Sequence, residues 1–243
     1  MKILVIDIGG TNVKILASGQ TEVRRVASGP AMTARAMAEA VRRLAQGWDY
    51  DAVSIGFPGV VANDQPVTEP RNLAPGWVQF DYPGAFGRPV KIVNDAAMQA
   101  LGSYEGGKLL FLGLGTGLGS TLVVDGTLVP MELAHLPYRK GTFEDYVGER
   151  ALVRDGKRQW RKQVFDVVAR LRDALVPDDV VIGGGNVKNL AELPPGCRAG
   201  DNANAFVGGY RLWAGQAPAA AKPAARKRAA PRTVPTRTNR NSR

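Results

Sequence analysis

Apolar residues fall in short unbroken runs near the start of the chain, and the runs are punctuated by glycine. Ile3–Ile8 is β-branched and leucine-rich, Gly9-Gly10-Thr11 interrupts it, and Val13–Leu16 resumes the apolar pattern. This reads as strand, tight turn, strand, with Glu22–Val26 as a third strand of the same meander. The period then changes. In Thr33–Gln46, Met37, Val41 and Leu44 recur at helical spacing, with Arg42 and Arg43 on the opposite face, which predicts an amphipathic helix. Ala52–Gly56 and Val90–Val93 read as short buried strands, and Asp95 starts a helix running through Met98 and Leu101.

At Lys108 the opening pattern returns. Leu109–Leu114 is again an apolar strand running into a Gly/Thr turn, and Thr121–Val124 is again a second strand. Laid over Ile3–Leu16 without a gap, Gly9 falls on Gly115 and Asp7 on Gly113. An offset of this length is too long for a solenoid unit and suits two related domains facing each other. Trp160–Leu175 carries Trp160, Val164, Val167, Leu171 and Leu175 along one side and predicts the strongest helix. Val180–Ile182 is a short strand ending in Gly183-Gly184-Gly185, and Ala203–Trp213 is the last helix. The expected division is 1–107, 108–214 and a tail at 215–243, with the last helix, about 203–213, free to pack back on the first domain.

Composition changes the picture mainly at the tail. After Ala214 the chain is Ala, Pro, Lys, Arg and Thr without an apolar period, so disorder is expected. The formal charge is +10 and the pI about 10, yet 24 of the 32 bases and all 22 acids precede the tail. The body therefore carries only +2 and the tail +8. The high pI is no argument for nucleic-acid binding by the folded part, although the tail would bind polyanions non-specifically. Cys197 is the single cysteine, which excludes an intrachain disulfide and a cysteine-based zinc site. Met1 runs straight into a strand, with no signal-peptide pattern. Leu109–Val124 is broken by four glycines and makes a poor membrane span. A cytoplasmic protein is expected.

Three glycine-rich segments, the Asn94-Asp95 pair and the polar group Glu132, His135 and Glu144 carry candidate chemistry. Asp7-x-Gly9-Gly10-Thr11-x-x-Lys14 is either an ordinary hairpin turn or an anion site. In the second case its backbone N–H groups, the Thr11 hydroxyl and the Lys14 charge would face phosphate, and Asp7 could hold Mg²⁺ directly or through water. Gly113–Gly119 is a second such loop. It is neither a Walker loop nor a dinucleotide fingerprint. Asn94-Asp95, between a strand and a helix, reads by itself as a helix cap; facing a cleft, Asp95 would instead accept a hydroxyl proton. Glu132, His135 and Glu144 offer the acceptors and donors that a polyol needs. Gly183–Asn186 is either a flexible turn or a backbone platform under a nucleotide.

Taken together and in this order, these motifs resemble the ROK family of sugar kinases over about residues 1 to 213. Gly56-Phe57-Pro58-Gly59 resembles the family's segment beside the sugar, and Asn72 in Asn-Leu-Ala-Pro-Gly-Trp resembles its Asn-Leu-Pro-Gly-Trp stretch. The resemblance implies an α/β fold of two ribonuclease-H-like, actin-like ATPase domains with a central cleft, assembled as a homodimer. It implies that Gly59, Asn72, Asn94, Asp95, Glu132, His135 and Glu144 bind the sugar and that Asp95 is the base. Asp7, Gly9, Gly10, Thr11, Asn12 and Lys14, with Gly115, Thr116 and Gly117 and with Gly184 and Gly185, would bind phosphate and nucleotide. The expected reaction moves a phosphoryl group from ATP, with Mg²⁺, to the primary hydroxyl of a hexose, foremost glucose.

Some residues depart from the pattern. Leu136–Phe143 lacks the cysteines of the family's zinc loop, so no zinc is expected. Met131-Glu132-Leu133-Ala134-His135 has lost both glycines of the corresponding family motif. Short zinc-free relatives include glucokinases that use inorganic polyphosphate, which makes that donor the alternative. A non-catalytic sugar sensor or tail-driven nucleic-acid binder is the alternative of another class. A DNA-binding regulator is disfavoured, because no helix-turn-helix precedes Lys2.

Overall fold

The computed structural model describes residues 1–213; the basic tail, and the disorder expected of it, lie outside the described residues. The chain opens with β1 (Ile3–Ile8), β2 (Asn12–Ala17), β3 (Arg24–Ala27) and α1 (Ala34–Leu44). It continues with β4 (Ala52–Phe57), a small hairpin of β5 (Val61–Ala62) and β6 (Gln65–Pro66), α2 (Tyr82–Phe86), β7 (Val90–Asn94) and α3 (Asp95–Ser103). A second meander follows as β8 (Lys108–Leu114), β9 (Leu118–Val124) and β10 (Thr127–Met131). After a 3-10 turn at Leu133–His135 come the hairpin β11 (Pro137–Tyr138) and β12 (Gly141–Thr142), then α4 (Glu144–Val147) and α5 (Glu149–Leu175). β13 (Asp179–Gly183), β14 (Arg198–Ala199) and α6 (Asn204–Arg211) are the last elements.

Two five-stranded sheets result, in the orders β3-β2-β1-β4-β7 and β10-β9-β8-β13-β14. In each, three consecutive strands form an antiparallel meander, and the next long strand joins the first in parallel. The internal repeat is thus structural, but its register slips at the turn. Ile8 pairs with Val13 in the first hairpin, whereas Leu114 pairs with Leu118 in the second, whose turn is one residue shorter. Consequently Lys14 opposes Asp7, and Gly119 opposes Gly113.

Burial explains the layering. β1 and β4 are buried at every position because both of their faces are covered. Leu4, Ile6 and Ile8 join Met37 and Val41 of α1, with Trp77 and Tyr82, in one cluster. Ile3 and Val5 pack on the other side with Met98 of α3 and Ala205 and Phe206 of α6. Ala96 and Ala100 of α3 meet Leu109, Phe111, Val123 and Val181 of the second sheet. Leu110 and Leu112 belong to a further cluster with Trp160, Val164, Val167 and Leu171 of α5. α3 is therefore shared by both sheets. Glycines let α6 cross it closely: a Cβ on Gly208 would overlap the carbonyl of Met98. Ser54 Oγ, on β4, donates to the Gly209 carbonyl at 2.6 Å and accepts from Trp213 Nε1 at 2.9 Å, so the end of the described chain returns to the first sheet.

Element boundaries differ from the pattern where tertiary context decides. Thr33 lies outside α1 as its cap, accepting from the Ala36 N–H at 3.2 Å. α5 begins well before Trp160; at Gly156 its backbone turns to φ 74, which breaks the helix and hides the first segment from a periodicity search. β10 is a half-exposed edge strand containing Pro130, a residue that weakens any strand signal. Among the described residues no helix is long and apolar enough to cross a membrane.

Candidate active site

The first turn is tied at its base. Gly9 N–H donates to the Asn12 carbonyl at 3.0 Å, Ser28 Oγ to the Gly9 carbonyl at 2.6 Å, and Ser28 N–H to the Thr11 carbonyl at 2.9 Å. Gly10 and Thr11 remain exposed. Asp7, near the end of β1, is buried and lies 3.6 Å from Lys14 Nζ on β2. Burial pushes its carboxyl above the ordinary range, while the Lys14 charge and hydrogen bond pull the other way. Asn72 packs against this turn, its Cβ 3.7 Å from where a Cβ on Gly10 would stand.

The second turn is braced from other elements. Gly115 N–H donates to the Gly117 carbonyl at 3.1 Å, and the first turn of α5 donates from Glu149 N–H to the Thr116 carbonyl at 3.1 Å. Asn186 donates from its backbone to the Leu114 carbonyl at 2.9 Å and from Nδ2 to the Gly115 carbonyl at 3.0 Å. Gly184, at φ +90, lies against Leu114, and any Cβ there would overlap the Leu114 backbone. The third glycine segment therefore lies on the second. Glu144 closes the turn from beneath, with Oε2 3.4 Å from the Leu118 N–H and in contact with Gly117. Its Oε1 accepts from Arg71 Nη1 at 3.0 Å, joining the loop that carries Asn72 to the second half of the chain.

Between these turns lies the start of α3. Asn94 is its cap: Oδ1 accepts from the Ala96 and Ala97 N–H groups at 2.9 and 3.3 Å, and Nδ2 donates to the Gly59 carbonyl at 3.0 Å. With capping done by Asn94, Asp95 falls in the first helical turn, where its Oδ1 accepts from the Ala96 N–H at 2.8 Å. Burial, then the charge of Asp7 and, more weakly, that of Glu132, raise the Asp95 carboxyl from the usual 3.8 to about 7, against the pull of backbone N–H groups. Asp7, Asp95 and Glu132 thus share one electrostatic field. The strands come close enough because side chains are missing. A Cβ on Gly56 would stand 3.5 Å from Asp95 Cα and collide with Met98, and one on Gly119 would stand 2.9 Å from Ala96 Cβ.

The ROK family profile matches residues 3–130, more than half of the chain. The chain belongs to the ROK family. It is 29% identical over 203 residues to a Mycobacterium tuberculosis protein named polyphosphate glucokinase, covering 74% of this chain and 76% of that one. Its structure is similar to that of the inorganic polyphosphate/ATP-glucomannokinase from Arthrobacter sp. strain KM, with TM-score 0.72, 26% identity, and coverage of 86% and 96%. A ROK family glucokinase from Streptomyces griseus, solved with glucose and AMPPNP, has the same fold at TM-score 0.72 and 20% identity, with coverage of 87% and 99%. The α/β architecture is thus that of the ROK sugar kinases, of the actin-like ATPase type.

On this ROK fold, Asp7, Gly59, Asn94, Asp95 and Glu132 are linked by contact or field at the start of α3, while Asn72 lies against Gly10 of the first turn. His135 Nε2 stands 3.7 Å from Glu132 Oε2, both side chains more than half exposed. Glu144 instead touches the second turn and Arg71. Both ends of the Asn94 amide already have protein partners, leaving one Nδ2 hydrogen for any ligand. Ser28 and Arg71 lay outside the sequence candidates, and Asn186 entered only as the end of the third glycine segment, without a role for its side chain. Asn186 follows the triple glycine and Arg71 precedes Asn72, so motif adjacency was a usable signal for both; Ser28 had none. Among the described residues no group of three or more His, Cys, Asp or Glu is arranged to hold a metal. Asp7 offers one carboxylate, which suits a Mg²⁺ ion whose other ligands are donor oxygens and water.

Proposed function

We propose that the chain is a glucokinase that transfers the terminal phosphoryl group of ATP to the primary hydroxyl of glucose. One observation carries the reading: at the start of α3, between the two glycine turns, stands a buried carboxyl whose pKa, about 7, suits proton transfer at neutral pH. Asp95 accepts the hydroxyl proton as that oxygen attacks the terminal phosphorus. The phosphorus–oxygen bond to the rest of the donor breaks, and the proton stays on Asp95. With the Gly9 and Gly115 N–H groups tied inside their turns, Gly10 and Thr11 in the first turn and Thr116 and Gly117 in the second present backbone N–H groups to the transferring phosphate, so catalysis is positioning and electrostatics. Asp7 is the residue that would hold Mg²⁺, directly or through water. The bound ion supplies neutralisation of donor charge. No zinc is required.

Asn72, Asn94, Glu132 and His135 are assigned to the sugar's hydroxyls, with Asn94 also fixing Gly59 beside it; Glu144, expected there from the sequence, is assigned instead to bracing the second turn, where its carboxylate meets Arg71 and the Leu118 N–H. Polyphosphate is the second reading for the donor, favoured by the names of the M. tuberculosis and Arthrobacter relatives. Gly183–Asn186, lying on the second turn, supports ATP by giving an adenosine a backbone surface. A coupled assay over a hexose panel with ATP and with polyphosphate tests both. Turnover of glucose with one or both donors is expected, and sugar binding without turnover on either would make the protein a sensor.

A further inference from the structure

Arg71 and its neighbour Asn72 connect the two turns through side-chain contacts. Asn72 packs on Gly10 of the first turn. The Arg71 guanidinium reaches Glu144, whose other oxygen approaches the Leu118 N–H at the second turn. The pair crosses from one half of the chain to the other, yet the Arg71 side chain is 74% exposed. So exposed an ion pair adds little to stability, and the geometry calls for another explanation.

Charge supplies one. Asp7, Asp95, Glu132 and Glu144 line this region, while Lys14 is engaged by Asp7. A polyanionic donor entering between the turns meets these carboxylates. Backbone N–H groups offer partial charges only, and the full charges assigned to the donor, Lys14 and the Mg²⁺ that Asp7 would hold, belong to the first hairpin, so a cation held at the second turn completes the cradle. A guanidinium has five N–H donors, and one of those on Arg71 has a partner among the described residues. The Glu144 contact fixes the end of a long side chain without using up its hydrogen-bonding capacity.

We propose that Arg71 is a ligand of the donor's phosphate chain, held by Glu144 across the gap between the two turns. The inference rests on the phosphoryl-transfer reading of the site and extends it to a residue outside the glycine motifs. The planar fork of arginine matches two phosphate oxygens at once, which a lysine cannot do. Arg71 therefore sets donor affinity and leaves sugar affinity to other groups.

The test compares wild type with Arg71→Ala and Arg71→Lys in the full chain. Calorimetry with tripolyphosphate reads donor-site affinity without requiring turnover, and calorimetry with glucose reads the sugar site. Arg71→Ala is expected to weaken tripolyphosphate binding and raise the donor KM by about tenfold or more, the loss of one charge-assisted hydrogen bond. Glucose affinity and melting temperature should stay near wild type, and Arg71→Lys should recover part of the loss. Tripolyphosphate binding that depends on Arg71 in a protein without turnover would uphold this inference while defeating the kinase reading. Unchanged tripolyphosphate affinity in Arg71→Ala, a shift in glucose affinity in its place, or no tripolyphosphate binding by wild type would each overturn it.

Discussion

The two glycine hairpins share a topology and differ at matched positions. Asp7 opposes Lys14 in the first; Gly113 opposes Gly119 in the second. The first hairpin therefore carries a charge pair beside its turn, Asp7 buried and Lys14 partly exposed, and the second carries no side chain at all there. The reason for the bareness is α3. Its first turn is pressed against β9, and a Cβ on Gly119 would stand 2.9 Å from Ala96 Cβ. A repeated topology thus carries charge beside one turn and clearance for α3 beside the other.

The largest effect should come from filling that clearance. Gly119→Val is expected to lower kcat by about a hundredfold or more, because near-attack geometry is sensitive to displacements of roughly 1 Å. The matched change Lys14→Met should act chiefly on the donor, raising its KM by about tenfold through one lost charged hydrogen bond. Steady-state constants for both variants decide it; equal kcat losses would erase the distinction between the hairpins.

Asp7→Asn probes the field rather than the turn. The Asp7 charge is one of the causes that raise the Asp95 carboxyl. Its removal should move the acid limb of the pH–rate profile of residual turnover below the wild-type position, near pH 7. A limb that stays in place would separate the two carboxylates. Stability follows the same linkage. Asp95 holds its proton more tightly folded, with a pKa of about 7, than at its ordinary 3.8. Wild-type stability should therefore fall as pH rises between these values. Asp95→Asn should melt higher than wild type at pH 8, with the gain gone near pH 4; thermal scans at the two pH values check this.

The smallest effects should come from the braces. Ser28→Ala at the first turn and Asn186→Ala at the second each remove side-chain hydrogen bonds to turn carbonyls. Each should raise the donor KM by roughly twofold to fivefold, as expected for a neutral hydrogen bond. Titration of either donor against the two variants measures the difference, and a brace that matters at one turn alone would sharpen the comparison.

Much of this architecture is written locally. Ile3–Ile8 and Leu109–Leu114 are apolar runs ended by glycine, and such runs specify buried strands and the turns after them. Asn94-Asp95 marks the start of α3, and the cap that either residue could supply is made by Asn94, which leaves the Asp95 side chain free of that task. Other features depend on contacts distant in sequence. The one-residue slip of the second turn is visible only in the pairing of β8 with β9. Arg71 and Glu144 meet across 73 positions, and nothing near either residue announces the other. The raised Asp95 pKa arises from burial between two sheets and from Asp7 on β1, which β4 separates from β7, and neither has a local pattern.

Asp95→Asn tests the central claim most directly. It keeps the shape of the side chain and removes its capacity to accept a proton at neutral pH. Glucose affinity by calorimetry should remain within about threefold of wild type, while turnover with either donor falls by about 10²–10⁴-fold. Turnover within about threefold of wild type would contradict Asp95 as the base and, with it, the account of the cleft.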